Sequence, residues 1–387
     1  MAVPTDNGFI LQVAYRVVDQ QPVVRIYGRL ENSESFLIRD RRMRPCFYIL
    51  ERDEDRAARL GVKSVATQRQ NFSGDAVRRV DASDPTDIPR VRDRLQADGV
   101  VTFEADVRFA VRYLIDRNVK GGVCISGRRM AARGVDWIYD EPDLTPAKVN
   151  LAPRVLSFDI ETDRQAQQLL AISIYGLGKD EVYIVDPAGR NMPANAISFA
   201  DERQVLDHFT RQVRALDVDV LTGWNVIDFD LSVMVRIAER LGFRLDLGRE
   251  SAPIKIREAK GYFGSGSATI PGRLVLDGID LLRGAFIRMD EYSLDAVARV
   301  VLGEGKALHG QVNDRADEIM HNYLNDLQAF ALYARTDSRL ALEIVQKLDL
   351  INLAVARSQL TGMTPDRVAA SIASFDFLYL CELYKRG

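Results

Sequence analysis

The sequence predicts an α/β (α+β) protein with a β-rich front part and a second part built on a mixed central sheet with helices on its faces. Three observations carry this expectation. Residues 8–50 alternate apolar and polar side chains, the period of half-buried strands. Residues 140–153, DEPDLTPAKVNLAP, contain Pro142, Pro146 and Pro153 and little periodicity, which marks a linker. Beyond it, near-continuous apolar runs such as VLSFDIE alternate with helical segments, the pattern of strands buried on both faces. The boundary divides the chain into 1–147 and 148–387.

In the first part, FILQVAYRVV and PVVRIYGRLE read as strands separated by a turn at Asp19-Gln20-Gln21-Pro22. CFYIL reads as a third strand, after the basic run from Arg39 to Arg44. ERDEDRAARL reads as a solvated helix, and residues 86–98 form a helix with an Asp/Thr start signal. A further helix is expected near 106–117. In the second part, LLAISIYGL and EVYIVD follow VLSFDIE as strands, then a helix at about 202–216 and the short strand VDVLTGWN. DLSVMVRIAERLG is an amphipathic helix closed by Gly242, and GRLVLDGIDLL reads as a strand. SLDAVARVVL reads as a helix, and residues 318–348 as one long helix. Between Lys255 and Arg273 lies a hairpin pattern with a glycine-rich tip at residues 261–266; an ordinary surface hairpin fits it equally well.

At 387 residues, with 47% apolar and 28% charged side chains, the chain can bury a core without disulfides or a structural metal. A net charge of −3 gives no general attraction for phosphate, so any nucleic acid must be held by local patches. The Arg39–Arg44 run is one such patch, or else a solvated face. Cys46, Cys124 and Cys381 form no CxxC pair, and His208, His309 and His321 are the only histidines; both facts disfavour zinc and histidine-based catalysis. The N-terminus lacks a signal pattern and no apolar run reaches membrane-spanning length, so a cytoplasmic, non-membrane protein is expected.

Three features carry chemistry. Asp159 and Glu161 sit at i and i+2 on an apolar strand, so both carboxylates leave the same face. Buried together they need cations or protons, and divalent metals are a common answer; hydrated acids at a strand end are the alternative. Asn225-Val226-Ile227-Asp228-Phe229-Asp230 lies at a strand-to-helix junction, where Asp228 or Asp230 could simply cap the helix. Tyr333 and Asp337, four residues apart, share one helical face, as a core tyrosine and a surface aspartate also would.

In this order and spacing, FDIET, N-x3-F-D and Y-x3-D resemble the three exonuclease motifs of the DEDDy class found in family B DNA polymerases. Thr102 to Asp106 with Arg112 to Asp116, Arg44 to Tyr48, and Tyr292 to Ala298 resemble further segments of that family. The resemblance implies an N-terminal domain followed by an RNase H-like exonuclease domain. It implies that Asp159, Glu161, Asp230 and Asp337 bind two Mg²⁺ (or Mn²⁺) ions. Tyr333 would position the attacking water, and Thr162, Asn225 and Phe229 would contact the DNA substrate, a single-stranded 3′ end or a primer-template. Asp230 matches the motif in preference to Asp228 because it follows the aromatic residue. No D-x-x-S-L-Y-P-S or D-T-D motif is present, so the chain looks like the N-terminal and exonuclease portion of a polymerase whose palm, fingers and thumb are its partners, and no nucleotide incorporation is expected from it. A catalytically silent nucleic-acid-binding scaffold is the rival reading.

Overall fold

The computed structural model describes residues 4–257, 266–305, 312–367 and 370–386, with only the backbone of 312–316. Two compact units emerge: Met1–Leu151 with Ser358–Thr364 and Ala370–Gly387, and Ala152–Arg357 with Pro365–Ala369.

The first unit contains β1 (Thr5–Val18), β2 (Gln21–Leu30), β3 (Ser35–Asp40), β4 (Cys46–Leu50), α1 (Glu54–Arg59), β5 (Ser64–Gln70), β6 (Ala76–Asp81), α2 (Asp87–Ala97), β7 (Thr102–Phe103) and α3 (Phe109–Ile115). It continues with β8 (Gly122–Ser126), β9 (Arg129–Ala131), β10 (Trp137–Asp140) and β11 (Asp143–Pro146). A seven-stranded sheet runs β11-β8-β1-β2-β3-β10-β9, and a four-stranded one β5-β6-β4-β7. The first hairpin turns on Asp19 and Gln20 alone, both at positive φ (48° and 62°), as a two-residue turn of type I′ requires. Pro22, expected in the turn, lies in β2 opposite Val17.

Two expectations for this unit are corrected. The linker holds β11, which pairs with β8; its Pro146 is accommodated because β11 is an edge strand. Part of the basic run is strand β3, hidden in the sequence by its charged end. Arg39 there makes a two-pronged pair with Asp140 (2.7 and 2.6 Å). Arg42 binds Asp40, which is fully buried and also accepts from the Tyr113 hydroxyl at 2.6 Å. These two arginines are therefore already engaged by carboxylates.

The second unit is built on β12 (Val155–Thr162), β13 (Leu169–Gly176), β14 (Lys179–Val185), β15 (Ala196–Phe199), α4 (Glu202–Ala215), β16 (Val220–Gly223) and α5 (Ser232–Arg240). After them come β17 (Lys255–Arg257), β18 (Ser267–Thr269), β19 (Leu274–Asp277), α6 (Gly278–Gly284), α7 (Leu294–Val301), α8 (Val312–Asn325), α9 (Leu327–Lys347) and α10 (Leu350–Thr361), whose residues from Ser358 on belong to the first unit. The final helix, α11 (Ser371–Arg386), belongs to the first unit. The six-stranded sheet runs β15-β14-β13-β12-β16-β19. β12, β13 and β14 are antiparallel neighbours, whereas β12–β16, β16–β19 and β14–β15 are parallel, so the sheet is mixed as expected. One face packs Leu156, Phe158 and Ile160 with α4 and α5. The other packs Leu170, Val182 and Ile184 against α9.

The expected long helix is two. Asp326 leaves helical geometry, its side chain accepts from Ala329 N–H at 3.0 Å, and α9 begins there. Capping by Asp326 at the helix start outweighs the uninterrupted periodicity. The stretch read as strand 272–282 turns helical at Gly278, because Asp277 caps α6. β17 and β18 pair as the stem of the expected hairpin; most of its glycine-rich tip lies outside the described residues.

Candidate metal and catalytic site

β12 sorts its side chains by the two-residue period of a strand. Phe158 and Ile160 enter the core, and Asp159 and Glu161 leave toward the face covered by α9. On α9, Tyr333 and Asp337 are one turn apart and both buried. One carboxylate oxygen from each of Asp159, Glu161 and Asp337 lies within 4.8 Å of the other two. Among the described residues this is the only such grouping of three or more acidic, histidine or cysteine side chains.

The fourth acid arrives by another route. β12 pairs with β16 only up to Ser157 opposite Thr222. Past that point the Ile160 N–H donates to Asp230 Oδ1 at 2.9 Å. Asp230 sits on a widened turn, Ile227–Leu231, in which Leu231 N–H bonds back five residues to the Val226 carbonyl. Such π-type turns recur at functional sites. This one turns Asp230 inward (2% exposed), while Asp228 and Phe229 face solvent. Neither aspartate caps α5, contrary to the simpler possibility left open by the sequence. Burial, and then the negative charge of Asp159, push the Asp230 carboxyl well above the usual carboxylate range, against the opposing pull of the Ile160 N–H.

The remaining predicted residues line the surroundings. Asn225 is exposed and holds a left-handed φ of 59° at the start of the turn. Its neighbour Trp224 donates to the Tyr292 carbonyl at 2.8 Å, with Gly278 packed so closely that a Cβ there would meet the indole at 2.8 Å. Thr162 ends β12 just past a register shift and donates to the Asp163 carbonyl. Sequence reasoning missed Asp277. Its Oδ1 accepts from Ile279 N–H at 2.9 Å, and its Oδ2 reaches toward Ile227 N–H at 3.5 Å. Burial first, and Asp280 second, push its carboxyl up to about 6. The Asp-Gly pair at the end of an apolar strand was the available signal.

The donor set is all oxygen: Asp159, Glu161 and Asp337 converge where α9 covers β12, and Asp230 is held against the backbone of the same strand. It suits hard divalent cations such as Mg²⁺ and Mn²⁺ and lacks the nitrogen or sulfur ligands of a zinc site.

Comparison with known proteins decides the family. Residues 100–297 match the model for the DNA polymerase family B exonuclease domain. The chain belongs to the family B DNA polymerases. Among curated family members, DNA polymerase II of Escherichia coli is 33% identical over 300 residues, covering 76% of this chain and 37% of that protein. A DNA polymerase of a Thermococcus species is 27% identical over 404 residues, covering 98% of this chain and 47% of that protein. The chain thus spans less than half the length of these relatives. The family B DNA polymerase structure of Pyrobaculum calidifontis superposes with a TM-score of 0.79 at 23% identity, covering 98% of this chain and 51% of that one. The mixed α/β architecture expected from the sequence is therefore the fold of this family. The family match includes Asp159, Glu161, Asn225, Phe229 and Asp230; Tyr333 and Asp337 lie beyond it, and Asp337 joins the acids through the geometry. Among the described residues no helix is long and apolar enough to cross a membrane.

Proposed function

We propose that this chain is the proofreading 3′–5′ exonuclease portion of a DNA polymerase II-like, DNA-directed DNA polymerase, acting in replication and repair. The reaction is hydrolysis of the terminal phosphodiester of single-stranded or frayed DNA. The observation that carries the reading is the convergence of Asp159, Glu161 and Asp337, from a strand and a helix far apart in the chain, with Asp230 against the same strand.

Asp159, Glu161, Asp230 and Asp337 would hold two Mg²⁺ or Mn²⁺ ions, which supply Lewis-acid stabilisation of the reacting phosphate and a more acidic attacking water. Tyr333, one turn before Asp337 on α9, orients that water through its hydroxyl. The Ile160 N–H fixes the Asp230 carboxylate. Phe229, exposed on the widened turn, offers a stacking surface to the terminal base, with Asn225 and Thr162 as polar contacts. A terminus must leave its duplex to reach such a site, and a mismatched end unpairs at the lowest cost. The nuclease fold is proposed for the part of the chain after residue 147 that forms the second unit, and the polymerase domains of the longer relatives are its proposed partners.

The test is the Asp159→Ala, Glu161→Ala double variant on a 5′-labelled single strand. Mg²⁺-dependent shortening is expected from the parent and none from the variant, with the circular dichroism of both alike. Equal degradation by both would overturn the assignment; no degradation by either, together with DNA binding, would favour the silent scaffold.

A further inference from the structure

The widened turn that presents Asp230 has a physical problem at its start. The first N–H groups of any helical segment lack partners within it and need an acceptor, above all when buried. No side chain from the turn itself or its immediate neighbours provides one. The acceptor comes from another strand. Asp277 ends β19, directly opposite Gly223 at the end of β16, and is 6% exposed. One of its oxygens caps α6 through Ile279 N–H at 2.9 Å. The other faces the turn, where Ile227 N–H lies at 3.5 Å and Val226 N–H also acts on it.

Resting on the nuclease reading above, we infer that Asp277 is a positioning residue of the site: it anchors the start of the Val226–Leu231 turn whose end places Asp230. The turn is then held at two points. Asp277 fixes its first N–H groups, and the Ile160 N–H fixes the Asp230 carboxylate. Release of the first point leaves the turn free to rotate about the second, so Asp230 keeps its strand contact but loses its alignment with the other acids. Partners that orient ligands in this way commonly alter metal affinity or activity by about 10–100-fold.

The two jobs of Asp277 can be separated. Serine is a good helix cap, so Asp277→Ser keeps the short local bond to Ile279 N–H but is too short to reach Ile227. Asp277→Asn keeps the size and offers a single oxygen to donors on two elements. Mn²⁺ binding is read directly from the loss of the free-ion electron paramagnetic resonance signal, beside nuclease rate and melting temperature. Asp277→Ser is expected to melt close to the parent, yet to bind Mn²⁺ about 10–100-fold more weakly, with the nuclease rate at limiting Mn²⁺ falling in step. Should it melt early, Asp277→Asn decides by the same titration. Parental Mn²⁺ affinity in these variants overturns the inference, whatever happens to their melting. The Asp159→Ala, Glu161→Ala protein is run alongside: if its nuclease rate equals the parent's, the functional reading fails, and the Mn²⁺ titration still decides the role of Asp277.

Discussion

Gathering carboxylates without cations should make the site a source of instability, and Asp337→Asn measures it. One oxygen each from Asp159, Glu161 and Asp337 lies within 4.8 Å of the other two, with Asp337 only 4% and Glu161 6% exposed. At 4.8 Å and an effective dielectric of about 20, each ionised pair repels by about 3.5 kcal/mol, and Asp337 belongs to two such pairs. Proton uptake caps that sum: holding one aspartate neutral at pH 8, about four units above its free pKa, takes about 5.5 kcal/mol. Asp159 is only half-buried, and its solvent contact weakens the repulsion further. A gain of about 2–4 kcal/mol is therefore expected for metal-free Asp337→Asn, an upward shift of about 4–16 °C for a unit of this size. Mn²⁺ at a hundred times its dissociation constant should stabilise the parent by about 2.7 kcal/mol and the variant by less, closing or reversing the gap. Calorimetric scans in EDTA and in Mn²⁺ provide the comparison. If Asp337→Asn in EDTA melts at or below the parent, the acids do not repel one another as the geometry requires.

Two further variants probe binding and stability separately. Phe229→Ala removes an exposed ring, so stability should change by no more than about 0.5 kcal/mol. The KM for single-stranded ends should rise about 5–150-fold, the equivalent of one lost base stack, and an unchanged KM would exclude Phe229 from the substrate path. Arg249 is buried between Asp217 (3.0 Å) and Asp219 (2.7 Å), so Arg249→Ala removes the cation that faces the fully buried Asp219. The expected loss is about 3–5 kcal/mol, a fall of about 6–20 °C by thermal melt with the residual nuclease rate preserved at low temperature; a fall of under 2 °C would show that the pair is dispensable.

What could be read from the sequence was whatever depends on local periodicity. β12 is the clearest case: alternation alone separates Phe158 and Ile160 from Asp159 and Glu161. α4, α5 and α7 follow from their apolar stripes. The errors fall where a distant partner overrides the local pattern. β3 ends in Arg39 and Asp40, which look like solvent-facing charge until Asp140 and Tyr113, about 100 and 73 residues away, satisfy them. β11 is a strand only because β8 lies beside it. The division between α8 and α9 was visible in principle, since Asn325-Asp326 is a good start signal, but the periodicity on both sides concealed it.

The site divides along the same line. Two acids share a face through the period of a strand and a third shares a helical face with a tyrosine, so spacing places them, and the resemblance to the exonuclease motifs named them. The fourth depends on a turn closed by a hydrogen bond spanning five residues, which no helical or strand period encodes. That turn is held by Asp277 from a strand about fifty residues further on. A conventional α-helical turn would advance about 100° per residue, which the extra residue of a π-type turn disrupts. Holding Asp230 inward with Phe229 outward is thus a conformation the chain adopts because outside groups require it, Ile160 at one end and Asp277 at the other. Residues that enforce such geometry carry no signature in their own neighbourhood. The place to search for them is the set of buried acceptors facing an uncapped helical start, and in this unit that search leads from the Val226–Leu231 turn to Asp277.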